Sequence, residues 1–305
     1  MTINSCMSEF AGRRVQTWKP GQKISDVQNI AFKVGIEPDE GDWSEIFSGF
    51  LETPGVEKVQ ALVVGAWEDM VEGGVCDAVV EEIADAAAKL TKLEALFLAD
   101  VTFEECEISW IVQTDMSPIF TAYPQLKVFG VRGGSELDLG DLEHENLEVL
   151  IVETGGLDES VVKQVGKSRL PKLRHLELWL GDGGYGASFE LEDLRPFISG
   201  EKFPNLKYLG LRNSEEADAI AKLLAESPVL SRLEVLDLSL GTIGDEGGEA
   251  LLASPEIKKL KKLNLRHNYF SEAVIKQFSA LGIEVDTSEN ERSAKQDDRY
   301  VSVSE

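Results

Sequence analysis

Leu206-Lys-Tyr-Leu209-Gly-Leu211, Leu233-Glu-Val-Leu236-Asp-Leu238 and Leu260-Lys-Lys-Leu263-Asn-Leu265 follow one another at a step of 27 residues. Each sets down an apolar residue, two variable ones, an apolar residue, one variable and an apolar residue. On an extended strand such alternation sends the apolar side chains to a core and the intervening ones to the opposite surface. The pattern continues upstream in Leu93-Glu-Ala-Leu96-Phe-Leu98, Leu126-Lys-Val-Phe129-Gly-Val131, Leu147-Glu-Val-Leu150-Ile-Val152 and Leu173-Arg-His-Leu176-Glu-Leu178. Looser copies stand at Val27-Gln-Asn-Ile30-Ala-Phe32 and Val59-Gln-Ala-Leu62-Val-Val64, and a degenerate one at Ile283-Glu-Val285. First positions at 27, 59, 93, 126, 147, 173, 206, 233 and 260 give steps between 21 and 34 residues. Self-similarity at such periods marks a stacked array in which no unit buries its apolar face alone.

The stretches between strands carry helical spacing. Val75, Val79, Ile83, Ala87 and Leu90 share one face of residues 74–90, and Trp43, Ile46, Phe47 and Phe50 repeat the arrangement after the first strand. Asp158 and Ser271 stand where N-caps belong, ahead of Val161, Val162 and Val165 and ahead of Val274, Ile275 and Phe278. Ile220, Leu223 and Leu224 mark a further helix, ended by Ser227-Pro228. The short step from Leu126 to Leu147 holds Gly133-Gly134 and Gly140 and leaves no room for a full helix. Strand then helix, repeated, predicts an α/β solenoid of about ten strands. Its parallel sheet lines the concave face of a curved arc, and the wider helices take the convex face. Residues 1–26 read as an N-terminal cap with a short strand in Phe10–Trp18, 27–286 as the repeat domain, and 287–305 as a polar tail. The alternation in Tyr300–Val303 predicts a returning strand that caps the array.

The pattern over Val27–Val285 resembles the ribonuclease-inhibitor-like branch of leucine-rich repeat proteins. Only Leu265-Arg-His-Asn268 carries that family's asparagine. The stretch from Leu96 to Ile111, Leu176-Glu-Leu-Trp-Leu-Gly181 and the ending Arg299–Glu305 are similar to a bacterial leucine-rich repeat family of unassigned function. Genes of that family often sit beside radical-SAM and ATP-grasp genes, which implies an accessory role in a modification pathway. The wider branch implies protein binding on the concave face. Neither resemblance supplies a catalytic residue.

Among 305 residues, 55 are Asp or Glu and 30 are Lys or Arg, a formal charge of −25. Phosphate backbones and anionic membranes are held by Lys and Arg, so neither nucleic acid nor a membrane surface is an expected partner. A partner with a basic region is favoured by electrostatic steering. The N-terminus shows no basic and apolar leader, and no apolar run approaches the length of a membrane helix. Cys6, Cys76 and Cys106 form no closely spaced pair, so free thiols in a reducing cytoplasm are expected.

Alternation assigns the inner surface. Early strands present Ala61, Val63, Ala95, Phe97, Val128, Val149 and Ile151; Arg132 and Glu153 lie near the middle; later strands present His175, Glu177, Trp179, Tyr208, Arg212, Asp237, Lys262, Asn264 and Arg266. Large aromatic and Arg side chains dominate interface hot spots, so this face predicts binding of a protein or peptide. Phe97, Ile151, Trp179, Tyr208 and Arg212 would form its centre. The competing expectation is that Phe97, Val149 and Ile151 are covered by a loop or a second copy. Gly181-Asp-Gly183-Gly-Tyr-Gly186 matches a dinucleotide-loop spacing, but no helix opens there and the next strand ends in Arg212-Asn213, so a repeat loop is expected and no cofactor. His175 and Glu177 stand side by side and could run acid–base chemistry. With Arg212 and Asp237 they define the alternative, an enzyme or accessory subunit of a bacterial modification pathway. No nucleophile or metal cluster can be placed beside them, so a non-enzymatic scaffold is favoured.

Overall fold

The leucines of the repeat meet each other across the strands they define. In the computed structural model, which describes residues 3–36, 41–291 and 298–305, twelve strands form one sheet in chain order. They are β1 (Glu9–Phe10), β2 (Arg13–Thr17), β3 (Ile30–Val34), β4 (Ala61–Val64), β5 (Ala95–Leu98), β6 (Val128–Arg132), β7 (Val149–Glu153), β8 (His175–Gly181), β9 (Tyr208–Ser214), β10 (Val235–Asp237), β11 (Lys262–Asn264) and β12 (Glu284–Asp286). β1 and β2 pair antiparallel, and β2 to β6 and β8 to β12 run parallel. The helices between them are α1 (Trp43–Leu51), α2 (Asp77–Asp85), α3 (Ser117–Ala122), α4 (Glu159–Lys167), α5 (Arg195–Ile198), α6 (Ala217–Ala225), α7 (Asp245–Ala253) and α8 (Glu272–Ser279). This is an α/β leucine-rich repeat solenoid. The two strands beyond the expected ten are β1 and β2, which precede the first repeat. By internal contacts the chain divides into an N-terminal unit, Thr2–Val152 with Ser168–Lys172, and a C-terminal unit, Glu153–Lys167 with Leu173–Ser304.

In the N-terminal unit Phe32, Leu62, Leu96 and Phe129 are successive register partners, all buried. That register corrects the first repeat. Phe32, not Ile30, aligns with Leu62, and Val34 aligns with Val64, so the copy lies two residues later than the sequence pattern placed it. A slip of two residues keeps every side chain on its own face, so alternation alone does not detect it. Asp42 caps α1 by accepting from Glu45 N at 2.9 Å, and Trp43, Phe47 and Phe50 fill the layer beneath. The helix expected over 74–90 is confined to α2 and continues as a 3₁₀ turn, Ala86–Ala88. Residues 133–148 form no helix, as the short step requires, and make isolated bridges such as Val112–Ser135 and Asp115–Asp138.

The C-terminal unit repeats the column with Leu176, Leu209, Leu236, Leu263 and Val285. Asp158 accepts from Ser160 N at the start of α4, and Ser271 caps α8 through Val274 N. The repeat asparagine Asn268 is fully buried. Its amide donates to Leu238 O and Leu265 O, each at 3.0 Å, and its Oδ1 accepts from Ile243 N at 2.9 Å. One side chain thereby satisfies three backbone groups where the chain turns from strand to helix. The returning strand expected in Tyr300–Val303 is absent; Val301, Ser302 and Val303 are buried but pair with no strand. Most of the linker read as polar from Ser288 to Asp298 (292–297) lies outside the described residues.

Candidate functional site

Glu177 of β8 and Asp237 of β10 are both register partners of Gly210, which lies between them on β9. With no side chain at Gly210, its neighbours two residues either way lean over the vacant position. A Cβ there would lie 3.1 Å from Tyr208 Cε1, 3.2 Å from Glu177 Cγ and 3.5 Å from Arg212 Cδ. The Tyr208 hydroxyl stands 3.0 Å from Glu177 Oε2 and 2.8 Å from Asp237 Oδ2, so one proton serves two carboxylates. Arg212 bridges the same pair from the other side, donating to Glu177 Oε1 through Nη1 and lying 3.5 Å from Asp237 Oδ1 through Nε. Trp179 Nε1 adds a 2.8 Å bond to Glu177, and its ring lies 4.8 Å under the Arg212 guanidinium. Ser239 Oγ at 2.6 Å and Asn264 Nδ2 at 2.8 Å complete the shell of Asp237. His175 stacks on Tyr208, ring centroids 3.8 Å apart and planes 4° from parallel.

The network is a buried one in which two carboxylates share one guanidinium and are otherwise met by neutral donors. Burial by itself would raise the Glu177 carboxyl, but the Arg212 guanidinium and the His175 and Trp179 contacts outweigh it and hold the group well below the usual carboxylate range. Burial, followed by the two carboxylates, pushes the Tyr208 phenol far above its ordinary value, so it stays a neutral donor. Arg212 stays charged because the carboxylates overcome its desolvation. The inner-face residues of three strands are therefore locked to one another. His175, Tyr208 and Arg212 remain half-buried at the top, whereas Trp179 is covered, 7% exposed.

The other predicted contacts separate from this group. Phe97 is not a surface residue. Its ring lies across Gly130 on β6, where a Cβ would be 2.3 Å from Phe97 Cδ2, and Phe10 of β1 packs edge-on at 5.9 Å. Phe10 and Phe97 form one cluster with Ala31, Ala61, Val63 and Ala95; Met7, Ala11, Val15, Val128 and Ile151 pack against it. In the N-terminal unit Phe97 is thus covered by Phe10 of the chain's own β1, not by a loop or a second copy, with Ile151 packed against the cluster; Val149 stays half-buried outside it. Arg132 is also no surface anchor. It is buried, donating to Val101 O at 2.5 Å and standing 3.6 Å from the fully buried Asp100. Lys33 Nζ joins that carboxylate at 3.0 Å. Glu153 is half-buried at the end of β7, and Arg266 pairs with Glu289 at 2.7 Å. Sequence reading passed over Ser239 and Gly210. The missed signal was a glycine flanked by Tyr and Arg at the middle of a repeat strand.

For acid–base chemistry the cluster has both carboxylates committed to donors already present. Ser239 Oγ donates to Asp237 and accepts from Arg212 Nε at 3.0 Å, so this hydroxyl too is held by bonds within the cluster. The glycine-rich loop turns as a 3₁₀ segment, Gly183–Tyr185, and no α-helix opens on it. Among the described residues no three His, Cys, Asp or Glu side chains converge as metal ligands, and no helix is long and apolar enough to cross a membrane.

A search of solved structures finds similarity to a Bacteroides fragilis protein determined by crystallography as a structural-genomics target. The two share 32% identity and superpose with a TM-score of 0.81, over 88% of this chain and 76% of the other. The chain belongs to the family of that protein. An internalin of Listeria monocytogenes also matches, at 15% identity and a TM-score of 0.40 over 81% of this chain and 57% of its own; a likeness at that level adds nothing to the repeat already seen. No family model and no curated protein matches the chain.

Proposed function

We propose that the chain is a non-enzymatic scaffold that binds a protein or peptide on the helix-free face of its C-terminal unit, through His175, Tyr208 and Arg212. The observation that carries this reading is the locking of those three side chains by the buried Glu177–Asp237 pair. A rigid aromatic and Arg cluster loses little entropy on contact, which is what interface hot spots need. Phe97, Ile151 and Arg132 drop out of the proposed surface, while Glu153 and Arg266 stand at its margins. The helices joining most of the strands support placement in the ribonuclease-inhibitor-like branch. A cytoplasmic location is supported by Cys6, Cys76 and Cys106 being free; burial pushes the Cys76 thiol up to about 12 and Cys106 to about 11, so neither is a reactive thiolate. The alternative, an accessory subunit of a modification pathway, would use the same His175, Glu177, Arg212 and Asp237 face to hold a peptide substrate.

Photo-crosslinking tests the assignment. A benzoylphenylalanine at His175 should yield a discrete adduct in native lysate, and one at the exposed Leu223 of α6 should not. Equal labelling from both positions, or none from position 175, defeats the proposal.

A further inference from the structure

The segment Arg299–Ser304 lies in a seat whose side chains recognise its backbone. Asn213, fully buried, turns both ends of its amide to Val303: Oδ1 accepts from Val303 N at 2.9 Å, and Nδ2 donates to Val303 O. A strand neighbour would normally supply that pair of bonds, and it reads an extended backbone whatever side chain is attached. Ser302 N donates to Leu240 O at 2.8 Å, and the Tyr269 hydroxyl lies 3.0 Å from Tyr300 O. Arg299 pairs with Asp218 at 2.9 Å and donates to Thr242 O at 3.1 Å. Val301, Ser302 and Val303 are buried, while Tyr300 points outward, 56% exposed.

The seat is built from contacts that do not involve the segment. Asn213 N donates to Ser239 O at 2.9 Å, and its φ of 54° is a left-handed angle that Asn tolerates. Asp218 Oδ1 accepts from Gly244 N at 2.9 Å and Gly247 N at 2.8 Å, which ties it to the start of α7. Two glycines keep the space open. A Cβ at Gly155 would lie 2.3 Å from Ser304 O, and one at Gly244 would lie 2.3 Å from the Arg299 guanidinium.

We propose that this seat is a peptide-binding site, filled in cis by the chain's own Arg299–Ser304. Its ligand class is an extended segment with Arg, then apolar β-branched residues two and four positions later and a small residue between them. Asp218 selects the Arg, the two valine positions are the buried ones, and Asn213 holds the backbone. A tethered ligand acts at an effective concentration on the order of millimolar, so a free segment enters only when the resident one is weakened.

Hydrogen exchange and peptide binding on the full chain test the assignment. The Ser302 and Val303 amides should exchange at least about tenfold faster than those at the centre of β9, because the segment opens locally. A fluorescein-labelled peptide of residues 298–304 should bind a chain carrying Arg299→Ala and Val303→Ala at least about tenfold more tightly than the unaltered chain. Adding Asn213→Gly, which keeps the left-handed backbone free of strain, should abolish that binding. Equal protection of the Ser302, Val303 and β9 amides overturns the proposal, and so does failure of the peptide to bind a weakened-tail chain with unchanged circular dichroism. Should that variant not fold, the exchange comparison on the unaltered chain decides alone.

Discussion

At Gly210 the missing side chain lets Tyr208 and Arg212 fold over one position and reach a carboxylate on each flank. Gly130 does the same for Phe97, whose ring occupies the space a Cβ would need. Inner-face glycines therefore set where large side chains lie flat and where they stand up. The energetic weight of the first case falls on Glu177, whose carboxyl is held low by Arg212 against the cost of burial. Replacing one member of a buried ion pair leaves the other uncompensated, so Glu177→Gln should lower stability by about 3 kcal/mol or more at pH 7. A group with a depressed folded pKa contributes fully above its unfolded value, about 4.3, and loses that contribution as pH falls further. The difference between the two chains in denaturant melts should therefore be full at pH 6–7 and shrink below about pH 4. A difference independent of pH would mean that the ionised carboxylate is not what stabilises the cluster.

β1 lays Phe10 on the apolar inner face, and the turn that joins it to β2 is poorly suited to its task. Phe10 pairs with Arg13, leaving Ala11 and Gly12 as a two-residue loop with φ of 49° and 71°. Two left-handed residues are the geometry that Asn-Gly serves best, and Ala is strained there. Ala11→Asn should raise stability by about 0.5–1 kcal/mol, seen as a higher melting temperature. No change, or a loss, would show that the loop is not the strained element it looks to be. The same weak turn leaves the hairpin faint in the sequence, where Phe10–Trp18 predicts only a short capping strand, because Ala-Gly is not a strong hairpin signal. At the other end, alternation in Tyr300–Val303 marks an extended segment correctly but says nothing of its partner, which turned out to be side chains and loop carbonyls rather than a strand.

The charge of −25 belongs to the whole chain. A field of that sign would steer in a partner with a basic region and is screened over about 10 Å at 0.1 M salt. The association rate of the partner, once identified by crosslinking, should fall about tenfold or more between low salt and 0.15 M, with its dissociation rate changing far less. A rate indifferent to ionic strength would remove the case for a basic partner.

The sequence by itself determined the repeat, the buried leucines within each unit (Leu62 and Leu96 in one; Leu176, Leu209, Leu236 and Leu263 in the other), and the caps at Asp158 and Ser271. These rest on spacing and on bonds within a few residues, which any local stretch expresses. Which inner-face residues stay accessible was decided by tertiary structure: Phe10 covers Phe97, Lys33 and Arg132 share Asp100, and Asn213 grips Val303 from 90 residues away. No period in the chain encodes those meetings, because each depends on stacking that brings distant segments to the same few ångströms.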